Sequence, residues 1–219
     1  MFFHTHPYEP FIPENATKLI VGTLPPPRFT TGELKVNDVD FCYGSRDGLL
    51  WPVLDKLFDL DLKFENTHEA IEQRKMFLIQ RGIGICDLVQ SSQREKIDAS
   101  DLGMENVELR NMTEILRQHP KIDTLLFTGG NSKNGPEYFF RKHLKQHPGE
   151  ISLKVVSGEV PRINQFLLEG RIIKTVSLTA PSGSANRAIG SMKLYKTLKK
   201  KNPDFNTIDF RVLQYNGFF

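Results

Sequence analysis

The chain repeats one pattern four times: a short apolar run rich in β-branched residues ends at glycine, proline or small polar residues. The four runs cover residues 18–22, 83–86, 124–128 and 172–178. Runs of this length, bounded by turn-forming residues, predict buried strands. Segments with helical spacing lie between them, and strands that alternate with helices form parallel sheets. The pattern therefore restricts the chain to the α/β class.

The segments with helical apolar spacing complete this pattern. They cover residues 51–58, 67–80, 104–119, 136–146 and 187–200. Residues 151–157 and 162–168 are predicted to form a peripheral hairpin, and residues 208–215 a final edge strand. We predict a single domain over residues 1–219, a three-layer α/β/α sandwich around a central, mainly parallel four-stranded sheet with right-handed crossovers.

Composition argues against several classes of protein. With 219 residues, 39% of them hydrophobic, the chain can bury a core without disulfides or metals. Cys42 and Cys86 lie far apart, and the six histidines form no metal-like cluster, with His4 and His6 at most an adventitious chelating pair. No apolar stretch is long enough to cross a bilayer, and the amino end lacks a basic then apolar signal. We expect a cytoplasmic monomer with reduced thiols, no metal and no membrane anchor.

The charge balance permits a polyanionic partner without proving one. The formal net charge is +3, from 29 basic and 26 acidic residues. The densest basic run, residues 193–201, lies on a predicted helix. A solvated helix face is a more common explanation for such a run than a nucleic-acid contact.

The predicted sheet indicates where a functional site lies. Ligands of such sheets bind in the crevice beyond the carboxyl ends of the strands. The loops at these ends are residues 22–28 with an extension through residue 47, then residues 87–90, 129–134 and 179–186. We expect the site where these four loops meet.

Four segments in and around these loops carry a resemblance to a known family. They are VGTLPPPRF at residues 21–29, YGSRDGLLWPVLDKLF at 43–58, GIGICDLV at 82–89 and LTAPSGSANRA at 178–188. In order and spacing they resemble the motifs of the uracil-DNA glycosylase superfamily, especially its mismatch-specific and deoxyinosine glycosylase branches. The second segment is the most specific match, because it is similar to a pattern in which an Arg-Asn pair and a short apolar spacer precede Trp-Pro.

The resemblance implies a uracil-DNA glycosylase-like fold that acts on DNA containing a damaged or deaminated base, without a cofactor. The reaction is hydrolysis of the bond between the base and deoxyribose. In its transition state the sugar carries positive charge and the departing base negative charge. A carboxylate or amide near the sugar stabilises the first charge, and hydrogen-bond donors at the base stabilise the second. The base must also be flipped out of the stack.

The chain departs from the family's pattern at two positions. Leu24 stands where many members carry Asp or Asn to position water, and Ala180 stands where some carry His or Asn. The resemblance to the deoxyinosine branch makes Asp47 the leading catalytic candidate, provided that one residue is inserted within residues 48–50. A local turn or helix cap is an equally common role for an Asp in Ser-Arg-Asp-Gly.

The resemblance also assigns a base pocket. Asp87 matches a position at which relatives read the base edge, and its alternative role is to cap the loop backbone at the strand end. Phe41 and Tyr43 are candidates for the ring that stacks on the base, although an aromatic in an apolar run is more often a core residue. The remaining predicted pocket residues are Gly22, Thr23, Leu24 and Pro25.

Polar and basic residues of the same loops are candidates for contact with DNA phosphates. In residues 181–186 several small polar residues precede a predicted helix, whose free amides and dipole favour an anion. A plain helix cap is the alternative. The predicted phosphate contacts are Arg28, Arg46, Asn131, Ser182, Gly183, Ser184, Asn186 and Arg187.

Three functions are compatible with this interpretation. The first is a monofunctional DNA glycosylase that removes uracil or hypoxanthine with water as the nucleophile, since no lysine for a Schiff base falls in the matched motifs. The second is a catalytically inactive protein on the same fold that binds DNA or a damaged base, which Leu24 and Ala180 motivate. The third is an enzyme of small nucleosides or nucleotides, although the chain lacks a GxGxxG or Walker fingerprint.

Overall fold

A computed structural model describes residues 1–146 and 151–219 of the chain. The strands of these residues are, in chain order, β1 (Phe2–Thr5), β2 (Lys18–Val21), β3 (Ile83–Ile85), β4 (Val89–Arg94), β5 (Glu105–Leu109), β6 (Thr124–Phe127), β7 (Lys154–Ser157), β8 (Arg162–Leu168) and β9 (Arg171–Ser177). The helices are α1 (Pro27–Thr31), α2 (Leu50–Phe58), α3 (His68–Arg81), α4 (Met112–Gln118), α5 (Pro136–Gln146), α6 (Asn186–Ser191), α7 (Lys193–Lys201) and α8 (Thr207–Tyr215). In the part of the chain that the structure describes, no helix is long and apolar enough to cross a membrane.

The central sheet contains the predicted parallel strands and extends them. Its order is β3-β2-β6-β9-β8-β7, and the pairs β2–β3, β2–β6 and β6–β9 are parallel. The predicted count of four strands is wrong, because the hairpin of β7 and β8 is not peripheral. Instead, β8 pairs with β9 along its whole length. Glu169 and Gly170, with φ of 50° and 81°, form the two-residue turn that joins these strands.

A second, antiparallel sheet has the order β1-β4-β5 and is absent from the sequence prediction. The predicted helix over residues 104–119 is wrong in its first half, where β5 lies. Val107 and Leu109 alternate with polar residues, which is the strand period of two, and β5 pairs with β4. The helix begins only at α4, where the Asn111 side chain accepts a hydrogen bond from the backbone N–H of Glu114 (3.2 Å).

The final segment is a helix, so the predicted edge strand over residues 208–215 is wrong. Asn206 and Asp209 form a capping box at its start. Asn206 Oδ1 accepts from the backbone N–H of Asp209 (3.2 Å), and Asp209 Oδ2 accepts from that of Asn206 (2.8 Å). The predicted helix over residues 187–200 is two helices, since extended backbone at Met192 separates α6 from α7.

Two hydrophobic clusters include side chains from alternate positions of the central sheet. Along β2, Ile20 belongs to one cluster, whereas Leu19 and Val21 belong to the other, as the alternation of strand side chains requires. Residues of α2, α3 and α8 contribute to the first cluster, and residues of α4 and α5 to the second. The two clusters support the three-layer arrangement, which stays a prediction, as does the single domain.

Candidate active site

A cavity of about 720 Å³ lies at the carboxyl ends of the four parallel strands. Each of the four predicted loops contributes to its wall, together with Gly48 and Leu50, which follow the extension of the first loop. The volume suits a ligand of nucleoside size. The lining residues that matter below are Thr23, Leu24, Pro25, Tyr43, Asp47, Asp87, Asp101, Thr128, Lys133, Ala180, Ser182 and Ser184.

Asp87 connects several segments at the cavity wall. Its Oδ1 accepts hydrogen bonds from the backbone N–H of Gly22 (2.7 Å) and the hydroxyl of Tyr43 (2.6 Å). Its Oδ2 lies 3.0 Å from Nε2 of His6, a buried residue for which the sequence suggests only adventitious chelation. Asp87 thus binds loop backbone, which is its alternative role, and it also lines the cavity.

Tyr43 has an unfavourable backbone conformation at the cavity wall. Its φ is 59°, in the left-handed region, which costs about 1–3 kcal/mol for a residue other than glycine. The bond to Asp87 and the 3.3 Å approach of Thr128 Oγ1 hold its hydroxyl. Burial, followed by the charge of Asp87, raises the pKa of Tyr43 above its usual range, so the hydroxyl remains protonated. Strain of this kind clusters at functional positions.

Phe41, the other candidate for the stacking ring, lies in the hydrophobic core. Its ring is 5.9 Å from that of Phe11 and 6.2 Å from that of Trp51, measured between centroids. Trp51 donates its Nε1–H to the carbonyl of Cys42 (2.8 Å), which fixes the backbone just before Tyr43. Of the two aromatic candidates, Tyr43 lines the cavity.

Asp47 lies at the cavity with 68% of its side chain exposed. One carboxylate oxygen is 3.5 Å from Nη2 of Arg28, and the other is 3.9 Å from Nε of Arg46. The N-cap residue of α2 is Leu49, and no described side chain caps this helix. Asp47 therefore does not cap this helix, but it does lie in a local turn, the other alternative to catalysis, in which the N–H of Gly48 donates to the carbonyl of Ser45 (2.8 Å).

A buried carboxylate shapes the segment that carries Asp47. Nε and Nη2 of Arg28 donate to the two oxygens of Asp38 at 2.6 and 2.8 Å, and the backbone N–H groups of Lys35 and Arg46 donate at 2.8 Å. Burial alone would raise the pKa of Asp38, but the guanidinium and the two amides lower it from 3.8 to about 2. Arg28, a predicted phosphate contact, is engaged by this ion pair.

Replacing Asp38 with alanine is expected to lower the free energy of unfolding by about 3 kcal/mol, because the Arg28 guanidinium and two amides lose their acceptor. Because folding lowers the pKa of Asp38, its ionised carboxylate stabilises the folded state above about pH 4. This stabilisation is lost as pH falls towards 2. Urea unfolding at several pH values measures both effects. The control, Asp40→Ala, removes one exposed acceptor of the Tyr8 hydroxyl and is expected to cost less than about 1 kcal/mol. Equal losses in the two variants would contradict this role of Asp38.

The loop after β9 forms another side of the cavity. It is joined to the segment before α2, where the N–H of Leu49 donates to the carbonyl of Pro181 (2.9 Å). The hydroxyls of Ser182 and Ser184 lie 2.9 Å apart, and both residues line the cavity. Neither side chain caps the described helical turns that follow, so the helix-cap alternative does not account for them. The helix after this loop, α6, has only six residues, which weakens the dipole expected from a longer one.

The buried Arg211 of α8 holds this loop in place, a role that the sequence does not predict. Its Nε donates to the carbonyl of Ala180 (2.9 Å), and its Nη2 to that of Ser182 (2.8 Å). Its Nη1 donates to Oδ1 of Asn186 and to the carbonyl of Thr207, both at 3.0 Å. Arg211 thus satisfies three carbonyl groups at once. Asn186, a predicted phosphate contact, is engaged by the same guanidinium.

Two charged residues at the cavity are also missing from the sequence prediction. Asp101 lies on a 3-10 turn between β4 and β5, and Lys133 lies on the loop after β6. Lys133 is exposed, whereas Asp101 is half-buried and accepts a hydrogen bond from the Thr23 hydroxyl (2.9 Å). Together with Asp47 and Asp87, the described lining carries three carboxyl groups and one ammonium. Such a lining favours positive charge on a bound ligand.

The remaining predicted site residues have varied positions. Gly22 lies behind the wall, against Tyr43 and Asp87. Leu24 and Pro25 line the cavity. The other predicted phosphate contacts are exposed and do not line it: Arg46, Asn131, Gly183 and Arg187.

A solved structure has a similar architecture. The chain is similar to the solution NMR structure of a "putative Uracil DNA glycosylase" from Methanosarcina acetivorans, with a TM-score of 0.54 and 15% sequence identity. The match covers 96% of this chain and 99% of that chain. The two proteins share a fold. At this identity the likeness establishes the uracil-DNA glycosylase-like fold alone. Comparison with models of protein families gives no match, and comparison with curated protein sequences gives none.

Proposed function

We propose that the chain is a DNA glycosylase of base-excision repair, which binds a flipped, deaminated base in the cavity and hydrolyses its N-glycosidic bond. One observation carries this proposal: the four segments that resemble glycosylase motifs, distant in sequence, all contribute to the wall of one cavity. The shared fold supports the same function. The substrate base is uracil or hypoxanthine.

Asp47 serves the sugar side of the reaction. Its carboxylate stabilises the positive charge that develops on the sugar and accepts a proton from the attacking water. Arg28, 3.5 Å away, helps to position this carboxylate. On the base side, the Tyr43 ring stacks on the base and Asp87 reads its edge while fixing the Tyr43 hydroxyl.

Water is the nucleophile in this mechanism, and the protein needs no cofactor. Lys133 is the one side-chain amine among the described lining residues, but it is exposed and lies outside the four matched segments. A Schiff base to the sugar would be captured by borohydride as a covalent complex of protein and DNA. We expect no such complex and no strand scission without alkali.

The DNA backbone lies along the exposed residues around the cavity. Arg46, Asn131, Gly183 and Arg187 contact phosphates, together with Ser182 and Ser184 at the cavity. Arg28 and Asn186 support this surface through Asp38 and Arg211. The protein acts on DNA as a monomer.

A catalytically inactive DNA-binding protein is the second candidate function, which Leu24 and Ala180 favour. Two side chains that assist hydrolysis in related proteins are missing at these positions. The position of Asp47 favours the enzyme, because its carboxylate lines the cavity and caps no helix.

The experiment that separates these functions is single-turnover cleavage of labelled oligonucleotides that contain uracil, hypoxanthine, xanthine or a thymine mismatch. Abasic products are revealed by heat and alkali. Replacing Asp47 with alanine is expected to lower the excision rate constant about 10²-fold at saturating enzyme, because the carboxylate acts in the transition state. Its affinity for DNA is expected to stay within about threefold.

Arg187→Ala is the matched control, since Arg187 is an exposed predicted phosphate contact that does not line the cavity. Losing a phosphate contact weakens DNA binding, and more so at low salt, but leaves the rate constant at saturation unchanged. A folded wild type that binds damaged DNA and cleaves none of the bases at high enzyme excess would replace the glycosylase with the binding protein.

A further inference from the structure

The departing base requires a donor. The hydroxyls of Ser182 and Ser184 at the cavity can offer hydrogen bonds, but a hydroxyl does not give up its proton at neutral pH, and the other residues predicted for the base side offer no proton donor. Ala180 has no polar side chain. Both oxygens of Asp87 already have partners, since Gly22 and Tyr43 donate to Oδ1 and His6 Nε2 lies against Oδ2. A base that leaves with negative charge departs faster when a donor is positioned beside it.

Asp101 occupies a position from which it can supply a proton. Its turn is held by Asn134, whose Nδ2 donates to the carbonyl of Asp101 (2.9 Å), and by Arg94, whose Nη1 donates to that of Ser100 (2.6 Å). The Thr23 hydroxyl donates to Oδ1 of Asp101 (2.9 Å). Thr23, from the loop after β2, therefore holds the carboxyl group at the cavity, whereas Asn134, from the loop after β6, holds the backbone of the turn.

The surroundings of Asp101 favour its protonated form. Burial is the main reason why its pKa rises from 3.8 to about 6, and the charge of Asp87 acts in the same direction. The Thr23 hydrogen bond and the Arg94 charge oppose this rise. Other charged or titratable groups near this turn and cavity are Asp98, Asp47, Lys133, His6, Tyr43 and, bonded to Arg94, His4. A fraction of the molecules therefore carries the proton at neutral pH, and this fraction grows as pH falls.

We propose that Asp101 is a second catalytic residue, the general acid that protonates the departing base, and that the site therefore prefers a deaminated purine to uracil. This inference rests on the glycosylase function proposed above. A purine has ring nitrogens that accept a proton as the glycosidic bond breaks, whereas uracil leaves readily as an anion and gains less from an acid.

The protons and electrons balance in this reaction. The bond between C1′ and N9 breaks, and its electron pair moves to the base while Asp101 gives its proton to a ring nitrogen. Water adds to C1′ and gives a proton to Asp47, which releases it to solvent. Asp101 regains a proton from solvent through the open cavity. One water and one nucleotide therefore yield a neutral free base and an abasic site.

The test compares wild type with Asp101→Asn in single-turnover excision of hypoxanthine from duplex DNA, between about pH 5.5 and 8.5. The wild-type rate constant is expected to fall about tenfold per pH unit well above pH 6, because the acid form disappears. Asp101→Asn is expected to be about 10²-fold slower at low pH and to lack this fall. Its rate for uracil is expected to drop less than about fivefold.

Glu95→Gln is the matched control, because Glu95 is an exposed carboxyl residue on the same connection and does not line the cavity. It is expected to retain the wild-type profile. Thermal unfolding and DNA affinity verify that Asp101→Asn is folded. In addition, carbon NMR of labelled aspartates in the wild type is expected to show one carboxyl group that titrates near pH 6.

The outcomes distinguish the inference from the function on which it rests. If the wild type excises hypoxanthine but Asp101→Asn keeps the alkaline fall, or if no aspartate titrates near pH 6, the general-acid role is overturned and the glycosylase stands. If the wild type excises none of the bases at any pH, the proposed function fails and the general-acid role fails with it.

Discussion

Replacing Gly22 with alanine is expected to slow base excision at least about 10³-fold in single-turnover assays. A Cβ at this position would overlap the Tyr43 hydroxyl and would lie 2.8 Å from Asp87 Oδ1 and 2.9 Å from Thr128 Oγ1. All three side chains line the cavity, so the base-binding wall must move. A shift of about 1 Å in one positioning group can cost about 10²-fold, and here two or more groups move together.

Gly190→Ala is the matched control for this variant. Apart from its chain neighbours and the backbone of its own helix, α6, no described atom lies within 4 Å of a Cβ built at Gly190. Its excision rate is expected to equal that of the wild type, and alanine is a better helix former than glycine. If Gly22→Ala were as active as Gly190→Ala, the positions of Tyr43 and Asp87 would be irrelevant to the reaction.

Replacing Arg211 with alanine is expected to lower the free energy of unfolding by about 4 kcal/mol. The change removes the guanidinium donors of the Ala180, Ser182 and Thr207 carbonyls, of which that of Ser182 keeps the N–H of Ala185 (3.2 Å), and it opens a cavity in a fully buried position. The loop after β9 then loses its support, so excision is expected to fall as well. Urea unfolding at neutral pH measures the loss of stability.

Two further variants test the cause of this loss. Arg187→Ala removes an exposed arginine of α6 and is expected to change stability by less than about 0.5 kcal/mol. Arg211→Lys keeps the charge but not the planar fork, so it is expected to recover less than half of the stability. Full recovery with lysine would show that the charge, rather than the hydrogen bonds to the carbonyls, matters at this position.

The parallel part of the fold could be predicted because its signal is local. β2, β3, β6 and β9 are short apolar runs, each followed by turn-forming residues. The wrong predictions concern short segments whose apolar residues suit both a strand and a helix. Val107 and Leu109 alternate as in a strand but precede a helix, and α8 contains β-branched residues that also suit a strand. The capping box of Asn206 and Asp209 is the local signal that indicates a helix at the latter site.

The candidate site could be predicted where its residues lie in the loops after the parallel strands. Tyr43, Asp47 and Asp87 all lie at the cavity. Asp101 and Arg211 could not be found in this way, because tertiary packing brings them to the site from a connection in the second sheet and from a helix predicted as a strand. The same is true of contacts such as that of His6 with Asp87, which is 81 residues away in sequence.

The most direct test of the central claim is a structure of the protein bound to duplex DNA that contains 2′-fluoro-2′-deoxyinosine. The fluorine disfavours positive charge on the sugar and so prevents cleavage. We expect the hypoxanthine base in the cavity against the Tyr43 ring, with the Asp101 carboxyl group about 3 Å from a ring nitrogen and Asp47 beside the sugar. A base that remains stacked in the duplex, or DNA bound away from the cavity, would contradict the account.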